Sequence, residues 1–265
     1  MITPNEPYVD LNTDTGESFG RWKLGDDDLL LSNVTSANVA CGMHAGDPVV
    51  MDRVCTSCAE KGVSIGAHPS YPDLQGFGRR EMRMTPSEIE SFIVYQVGAL
   101  RAFAHSLGQP LIHVKPHGSL YNMAASDEAI AMAVARGVAR CAEPEGNLLL
   151  VGLAGSLSLQ AAKKLGIPYA AEAFCDRAYR SDGSLVNRLV PGAVLHDVSE
   201  IANRAVSMAT ENAVLCDDGK VLSLRADTLC IHSDTPGAPD IARAVRVALE
   251  RAGVRVIPLI QTKGL

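Results

Sequence analysis

Short apolar runs rich in β-branched residues alternate with amphipathic helical stretches along almost all of the 265 residues. This alternation is typical of parallel strands joined by crossover helices, because a parallel neighbour can be reached only through a segment that returns to the same end of the sheet. The predicted strands are residues 8–12, 33–39, 63–67, 111–115, 148–153, 169–173 and 228–232. Seven such strands in a chain of this length predict one α/β domain that covers residues 1–265.

The helix predicted between residues 85 and 108 shows the clearest boundary signals. Thr85 and Glu88 form a capping box at its start, and Gly108 follows its last turn. Apolar residues recur between them at helical spacing, interrupted only by Gln96. The exception to the alternation is the segment 176–197, whose turn signals predict an irregular insertion near the functional site.

The composition argues against several classes of protein. Apolar residues make up 47% of the chain and charged residues 20%, which provides ample material for a buried core. The net charge of −6, without a Lys/Arg stripe, argues against nucleic-acid binding. Since no run of about eighteen apolar residues and no export signal is found, we expect neither a membrane span nor secretion. Seven cysteines, an odd number, favour reduced thiols in the cytoplasm.

Polar and ionisable residues stand at or just after the end of nearly every predicted strand. In parallel α/β proteins the functional groups collect at the carboxyl ends of the strands. An open sheet would gather such groups in one crevice, whereas polar groups all around favour a closed seven-stranded (β/α) TIM-like barrel. The candidate residues are Asp10, Asn12, Asp14, Glu17, Asn38, His44, His68, Lys115, His117, Glu172, Arg177, His232 and Asp234.

The first strand carries three of these candidates at every second position. The two-residue period of a strand places Asp10, Asn12 and Asp14 on one face, and Glu17 follows shortly after. A solvated strand end or a turn cap would use the same residue types. The alternation with apolar residues favours an inward-facing functional set instead.

Lys115 is the candidate with the sharpest physical constraint. A lysine among apolar strand residues is costly to bury unless it meets a carboxylate or an anionic substrate. A structural Lys–carboxylate pair and a catalytic lysine both remain open, because a paired lysine in a cavity can also stabilise an oxyanion. His44 lies in a glycine-rich turn that opens onto a helix, and is a candidate base, anion contact or metal ligand.

The remaining motifs are weaker. Cys55 and Cys58 form a lone CxxC inside a predicted helix, where buried structural thiols are the better interpretation. Cys41, beside a glycine at a helix entrance, is a second-rank candidate for covalent chemistry. The chain has no G-x-S-x-G motif and no G-x-x-x-x-G-K-[ST] loop, so no serine hydrolase or nucleotide site is identified.

Several separated stretches of the chain together resemble one known family. They are DLNTDTGESFG (10–20), NVACGMHAGDP (38–48), IGAHPSYPD (65–73), FGRR (77–80), VKPHGSLYN (114–122), EAFCDRAY (172–179), VPGAVLHD (190–197) and HSDTPGA (232–238). In order and at strand ends, they resemble the LamB/YcsF family. The few departures, at Thr15, Ser119, Cys175 and Ser233, place no acid, base or lysine in doubt.

The resemblance implies a barrel of the glycoside hydrolase/deacetylase type and ATP-dependent ring opening of 5-oxo-L-proline to L-glutamate. It also implies that the chain works with two partner subunits, B and C, of a 5-oxoprolinase. ATP is then the co-substrate, and its binding to this chain or to the partners is left open, as is a homo-oligomer. On this basis we predict that the catalytic residues are Asp14, His44, His68, Lys115, His117 and Glu172, and that the other candidates bind substrate.

Two alternatives remain at this point. A metal-dependent amide or carbohydrate deacetylase would use Asp14, His44 and His68 as ligands around a bound water. A metabolite-binding protein without turnover would keep the same pocket. The sequence identifies neither a bound metal nor the general base.

Overall fold

Seven parallel strands close into a barrel in the computed structural model, which describes residues 6–142 and 148–263. In chain order the strands are β1 (Tyr8–Thr15), β2 (Ser36–Ala40), β3 (Ser64–His68), β4 (Leu111–Val114), β5 (Leu149–Leu153), β6 (Tyr169–Phe174), β7 (Ala213–Leu215), β8 (Val221–Ser223), β9 (Thr228–Ile231) and β10 (Arg255–Val256). The barrel consists of β1 to β6 and β9, and it closes because β9 pairs with both β6 and β1. The short β10 pairs only with the start of β1. The predicted seven-stranded (β/α) barrel is confirmed.

Helices connect successive barrel strands and cover the outside of the sheet. They are α1 (Asp27–Leu31), α2 (Pro48–Lys61), α3 (Pro86–Ser106), α4 (Gly118–Ser126), α5 (Glu128–Cys141), α6 (Leu157–Lys164), α7 (Val198–Thr210), α8 (Ala238–Arg251) and α9 (Leu259–Thr262). The capping box of Thr85 and Glu88 at the start of α3 is present, as predicted. Within the described ranges, none of these helices has the length and apolar character needed to cross a membrane.

Three strand boundaries differ from the prediction. β2 begins at Ser36 instead of residue 33, because the residues before it still belong to the turn after α1. β4 ends at Val114, but the main-chain N–H of Lys115 still donates to the carbonyl of Ala67 at 2.9 Å. Lys115 therefore leaves the barrel in the direction of a strand residue. β9 ends at Ile231, so that His232 belongs to the following loop.

Five short elements are not predicted from the sequence: α1, α4, the antiparallel hairpin β7–β8, β10 and α9. α4 begins directly after His117, whose side chain makes no capping hydrogen bond to the helix. The usual signal of a helix start is therefore missing there. The insertion at residues 176–197 contains only two isolated bridges, Arg177 to Val194 and Tyr179 to Leu185, in agreement with the predicted irregular segment.

The barrel interior is layered from an apolar floor to a polar top. Asp10, Asn12 and Asp14 are all buried on β1, and Asp10 lies four residues, roughly 13 Å, before Asp14 along the strand. Beneath them a small apolar cluster closes the amino end of the barrel. Its buried members are Ile112, Leu149, Val151, Ala170 and Leu259. Ile112 belongs to this cluster and not to the outer layer because the β3–β4 register shifts between Ile65 and Gly66.

Candidate active site

Lys115 is a buried cation held between two carboxylates at the carboxyl end of the barrel. Its side chain is only 3% exposed, and Nζ lies 3.0 Å from Asp14 Oδ1 and 2.7 Å from Glu172 Oε1. Asn12 Oδ1 and Cys230 Sγ complete its contacts at 3.3 and 3.1 Å. Burial by itself would lower the pKa of Lys115, but the neighbouring carboxylates keep this pKa well above its ordinary value. The ammonium group is therefore permanently charged.

Asp14 is held as a carboxylate by the groups around it. Its Oδ1 accepts a hydrogen bond from Asn38 Nδ2 at 2.9 Å and lies 3.4 Å from His68 Nε2, in addition to the contact with Lys115. Burial acts to raise the pKa of Asp14, but His68 and Lys115 together hold it well below its ordinary value. The net result is a buried ion network and not an isolated pair.

Three imidazole rings converge beside this network. The rings of His44 and His117 are stacked, with centroids 3.7 Å apart and planes within 5° of parallel. The ring of His68 stands nearly perpendicular to both, and its Nε2 lies 2.9 Å from Nδ1 of His117. Burial lowers the pKa of both stacked rings well below the ordinary value for histidine, and the neighbouring imidazoles add to this effect. Both stacked rings are therefore neutral at pH 7.

Glu17 faces the three rings from the loop between β1 and α1. Its Oε1 lies 3.3 Å from His44 Nε2 and 3.6 Å from His117 Nδ1. Its other oxygen accepts a hydrogen bond from the hydroxyl of Ser233 at 2.7 Å, which orients the carboxyl group. Burial, reinforced by Asp14, raises the pKa of Glu17 to about 7. One donor atom from each of Glu17, His44, His68 and His117 lies within 4.8 Å of all the others.

A chain of buried hydrogen bonds below the site positions Asp14. His113 Nε2 lies 2.7 Å from Oδ1 of Asn38, whose amide nitrogen donates to both Asn12 and Asp14. The ring of His113 fits only because residue 66 is glycine, since a Cβ there would lie 2.0 Å from His113 Nε2. The glycine in the IGAH segment is thus required by the packing of a side chain on the next strand.

Two glycines allow the loop after β3 to close over the histidines. A Cβ on Gly78 would lie 2.8 Å from the His117 ring and 2.9 Å from His44, and a Cβ on Gly118 would lie 2.4 Å from the Gly78 carbonyl. Both glycines have positive φ, +66° and +59°, a region that other residues rarely adopt. Phe77 in this loop contacts the edges of both stacked rings and accepts a hydrogen bond from His117 Nε2 at 2.9 Å.

His232 approaches the site from the opposite side. Its Nδ1 lies 3.0 Å from both oxygens of Asp176, and its ring stacks on Phe174. Asp14, Cys230 and His232 form a second group of donor atoms within 4.8 Å of one another. Lys115 already occupies this side of the site through its contacts with Asp14 and Cys230.

Arginines and one carboxylate form the rim of the site. Asp234 pairs with Arg79 of the loop after β3 and lies 3.7 Å from Arg188 of the insertion. The insertion and the segment 234–236 border a cavity of about 350 Å³. Three separate loops are therefore joined at the mouth of the barrel by charged side chains.

Two of the predicted substrate-binding residues have their polar groups engaged elsewhere. Asp10 lies near the floor, where it accepts hydrogen bonds from three hydroxyl groups. The guanidinium of Arg177 donates to the carbonyls of Val186 and Ala193, and so holds the insertion. The other predicted residues, from Asn12 to Asp234, lie in the network, around the histidines or at the rim.

The cysteines have the environment of structural thiols. Burial raises the pKa of Cys41 and of Cys55 to about 12 in each case, and that of Cys58 still further. None of these three is a thiolate at neutral pH, so the lone CxxC has the packing role that was expected.

Several site residues carry no local signal in the sequence. Tyr121 on α4 donates its hydroxyl to Glu172 Oε2 at 2.7 Å, and α4 itself is not predicted. Gln96 on α3 binds the main chain of Ser70, whose hydroxyl contacts His44 Nδ1. The only pointer to Gln96 is its place as the one polar interruption in an apolar helix stripe.

The sequence of this chain matches that of known proteins over almost its full length. Residues 9–264 match the LamB/YcsF family. The chain belongs to the LamB/YcsF family. It is 50% identical over 251 residues to the 5-oxoprolinase A subunit of Pyrococcus abyssi, which covers 95% of this chain and 97% of that protein. It is 51% identical over 248 residues to the protein of the same name from Heliobacterium modesticaldum, which covers 94% and 96%.

Comparison with solved structures supports the same family and the fold. The crystal structure of the lactam utilization protein from Thermus thermophilus superposes with a TM-score of 0.89 at 46% identity, covering 94% of this chain and 99% of that one. A solved T48 deacetylase gives a TM-score of 0.50 at 14% identity, covering 97% and 90%. The second likeness shows a shared barrel fold and nothing further.

Proposed function

We propose that this LamB/YcsF-family chain is the hydrolytic component of an ATP-dependent 5-oxoprolinase, which opens the lactam ring of 5-oxo-L-proline to give L-glutamate. The observation that carries the proposal is the identity of about 50%, over about 95% of the chain, to proteins named as the A subunit of 5-oxoprolinase. The buried network of acids, imidazoles and one lysine supplies groups suited to the reaction.

The lactam requires activation before water can open it. A five-membered lactam is a resonance-stabilised amide, so transfer of the γ-phosphoryl group of ATP to its oxygen would create a reactive imidate and release ADP. Water then adds to the ring carbon while a carboxylate or imidazole of the site takes its proton. The carbon–nitrogen bond breaks as the ring nitrogen gains a proton, and a second water releases phosphate from the resulting acyl phosphate. The products are glutamate, ADP and phosphate.

Lys115 is assigned the stabilisation of negative charge in this scheme. A charged group that is fixed before the reaction and shielded from water stabilises a developing oxyanion more strongly than solvent does. Lys115 meets these conditions, because it is buried and fixed by Asp14 and Glu172. The aspartate and the glutamate are then positioning residues for the ammonium group, unless one of them also contacts substrate.

ATP is expected to be used through the partner subunits B and C, with a small-molecule intermediate reaching this barrel. The chain lacks the phosphate-binding loop G-x-x-x-x-G-K-[ST]. Its rim carries Arg79 and Arg188, whose charge suits a carboxylate or phosphoryl group entering the site.

Reconstitution tests the proposal. Purified chain is mixed with ATP and 5-oxoproline, with and without subunits B and C, and glutamate and ADP are measured. We expect coupled glutamate and ADP formation only in the complete mixture, and loss of glutamate when the chain carries Lys115→Met. Full activity of the chain alone would contradict the division of labour, and a complete mixture without glutamate would contradict the reaction.

A metal-dependent deacetylase is the second candidate, and the convergence of Glu17, His44, His68 and His117 is the observation that favours it. Such an enzyme would act alone, without ATP, by activating a metal-bound water. Acetate release from N-acetylated sugars by the isolated chain, enhanced by added divalent metal, would support this alternative over the lactam reaction.

A further inference from the structure

We infer that Glu17, His44, His68 and His117 form a binding site for one divalent transition-metal ion, of which Zn²⁺ is the representative. The inference stands independently of the proposed reaction, because it concerns binding by this chain alone. It follows from the positions of hydrogen-bond donors and acceptors around the four side chains.

The outer nitrogens of His44 and His68 must carry hydrogen. His68 Nδ1 lies 2.7 Å from the carbonyl oxygen of Lys115, and a carbonyl can only accept. His44 Nδ1 lies 3.1 Å from the hydroxyl of Ser70, which donates its own hydrogen to the carbonyl of Tyr71. The hydroxyl must therefore accept from His44. In the neutral imidazoles, Nε2 of each ring is then a bare lone pair that faces the cluster.

The same reasoning applies to the other two side chains. His117 Nε2 lies 2.9 Å from the carbonyl oxygen of Phe77, so this nitrogen donates and Nδ1 has the free lone pair. Ser233 donates to one oxygen of Glu17 and leaves Oε1 directed at the rings. An outer hydrogen bond that fixes the tautomer and orientation of each ligand is the usual arrangement around protein-bound metals.

Four acceptor atoms therefore face one another without a hydrogen between them. Within the described part of the chain, Glu17 Oε1 and His44 Nε2 are buried and have no hydrogen-bond partner. The only partner of His68 Nε2 within hydrogen-bond distance in the cluster is His117 Nδ1, another acceptor in the neutral pair, at 2.9 Å. Such an arrangement is repulsive unless a cation or added protons fill it, since buried acceptors without partners are costly.

The distances fit a small transition-metal ion. Bonds of about 2.0–2.1 Å in a tetrahedral arrangement separate the ligand atoms by about 3.4 Å. The corresponding separations are 3.3 Å between His44 Nε2 and Glu17 Oε1, 3.6 Å between His117 Nδ1 and Glu17 Oε1, and 2.9 Å between the facing nitrogens of His68 and His117. Imidazole ligands favour zinc, iron, nickel or copper over magnesium and calcium, which prefer oxygen.

The second donor group, Asp14, Cys230 and His232, is a poorer cation site. The ammonium of Lys115 already lies 3.0 Å from Asp14 Oδ1 and 3.1 Å from Cys230 Sγ. A metal ion between these atoms would be repelled by that charge at short range. The set of one glutamate and three histidines is therefore the preferred site.

One adjustment is required on binding. An imidazole coordinates a metal in the plane of its ring, but the rings of His44 and His117 are stacked within 5° of parallel. Both can hold the same ion only if one ring tilts away from the stack. The metal-bound form should therefore differ from this structure by a rotation of one of these two side chains.

Metal titration of the full-length chain tests the inference. The chain is stripped with chelator and titrated with ZnCl₂ by calorimetry, and bound metal is counted by elemental analysis. We expect one Zn²⁺ per chain, with Mg²⁺ unable to displace it. Co²⁺ bound in place of Zn²⁺ should give the visible absorption of a site with nitrogen and oxygen ligands, a readout that needs no variant.

Variants identify the ligands. Glu17→Gln and His44→Ala should each weaken Zn²⁺ binding roughly hundredfold, whereas His105→Asn, on the exposed side of α3, should bind like the unchanged chain. Circular dichroism checks that each variant is folded. The inference is overturned if the unchanged chain binds no stoichiometric Zn²⁺, in which case protons neutralise the cluster. It is also overturned if folded Glu17 and His44 variants bind with unchanged affinity.

Discussion

The ammonium of Lys115 lies 2.7 Å from Oε1 of Glu172, and neither side chain is more than 3% exposed. A buried pair of this kind contributes little stability compared with apolar residues of the same volume, because both charges lose their hydration. Removing one partner is much more costly, since an uncompensated charge stays buried. A substitution that keeps the volume and alters the charge therefore separates the structural role of this pair from its chemical one.

Lys115→Met should destabilise the chain by about 4 kcal/mol, because Glu172 and Asp14 lose their buried counter-ion. The double variant Lys115→Met with Glu172→Gln should recover part of this loss, since one buried charge is removed with its partner. Urea unfolding measures both values. Turnover of the reconstituted complex should fall at least about hundredfold in both variants, because no oxyanion-stabilising cation remains. A double variant with native turnover would remove Lys115 from the chemistry.

The fold and the existence of a polar ring are predictable because they follow from local patterns. Strand periodicity, helix caps and the positions of acids and histidines at strand ends are all visible in neighbouring residues. The burial cost of a lysine also points to a carboxylate partner for Lys115, and the structure supplies two, Asp14 and Glu172.

The choice of partner and the direction of each side chain are not predictable in this way. Arg177 follows a strand end, but its guanidinium holds the insertion because the path of that loop presents two carbonyl groups to it. Tyr121 reaches Glu172 only because α4 starts without a capping signal. Both outcomes depend on contacts between segments far apart in the sequence.

Gly66→Ala should destabilise the chain by about 3 kcal/mol, because the new Cβ would lie 2.0 Å from His113 Nε2. If this overlap is the cause, combining Gly66→Ala with His113→Ala should cost less than the sum of the two single changes. Unfolding of all four proteins in denaturant measures the coupling. Strict additivity would show that another contact limits residue 66.

The carboxyl group of Asp10 should give the unmodified chain a pH-dependent stability. Burial raises the pKa of Asp10 to about 6 from an ordinary value of 3.8, although hydrogen bonds from Ser36, Thr228 and Thr35 act to lower it. The folded state thus binds this proton more tightly than the unfolded state. The resulting stability is fully present below pH 3.8 and is lost as the pH rises through 6.

Asp10→Asn should abolish this dependence. Relative to the unchanged chain, the free energy of unfolding of the variant should rise between pH 4 and 7 by about 3 kcal/mol at most, the equivalent of a shift of about two pKa units. Denaturant unfolding at several pH values measures the difference. A difference that stays flat, or that falls with increasing pH, would contradict the raised pKa.

The hydroxyl of Tyr121 should be needed for the position of Glu172 and, through it, of Lys115. It donates to Glu172 Oε2 at 2.7 Å inside the barrel, while the ring packs edge-on against Phe174. Tyr121→Phe keeps the ring and leaves a buried carboxylate oxygen without its donor, which should cost about 1–3 kcal/mol of stability. Tyr95→Phe on α3, where the side chain is 64% exposed, is the matched control and should change stability by less than about 0.5 kcal/mol.

A positioning role for Tyr121 predicts more than a loss of stability. Under conditions where Tyr121→Phe is fully folded, kcat of the reconstituted complex should fall about tenfold while KM for 5-oxoproline changes little, because the hydroxyl acts on the ammonium group through Glu172 and not on bound substrate. The unchanged complex and the Tyr95→Phe complex provide the reference rates. Equal kcat in Tyr121→Phe and Tyr95→Phe would mean that the packing of the ring alone fixes Glu172, and that the hydrogen bond between the two side chains serves stability only.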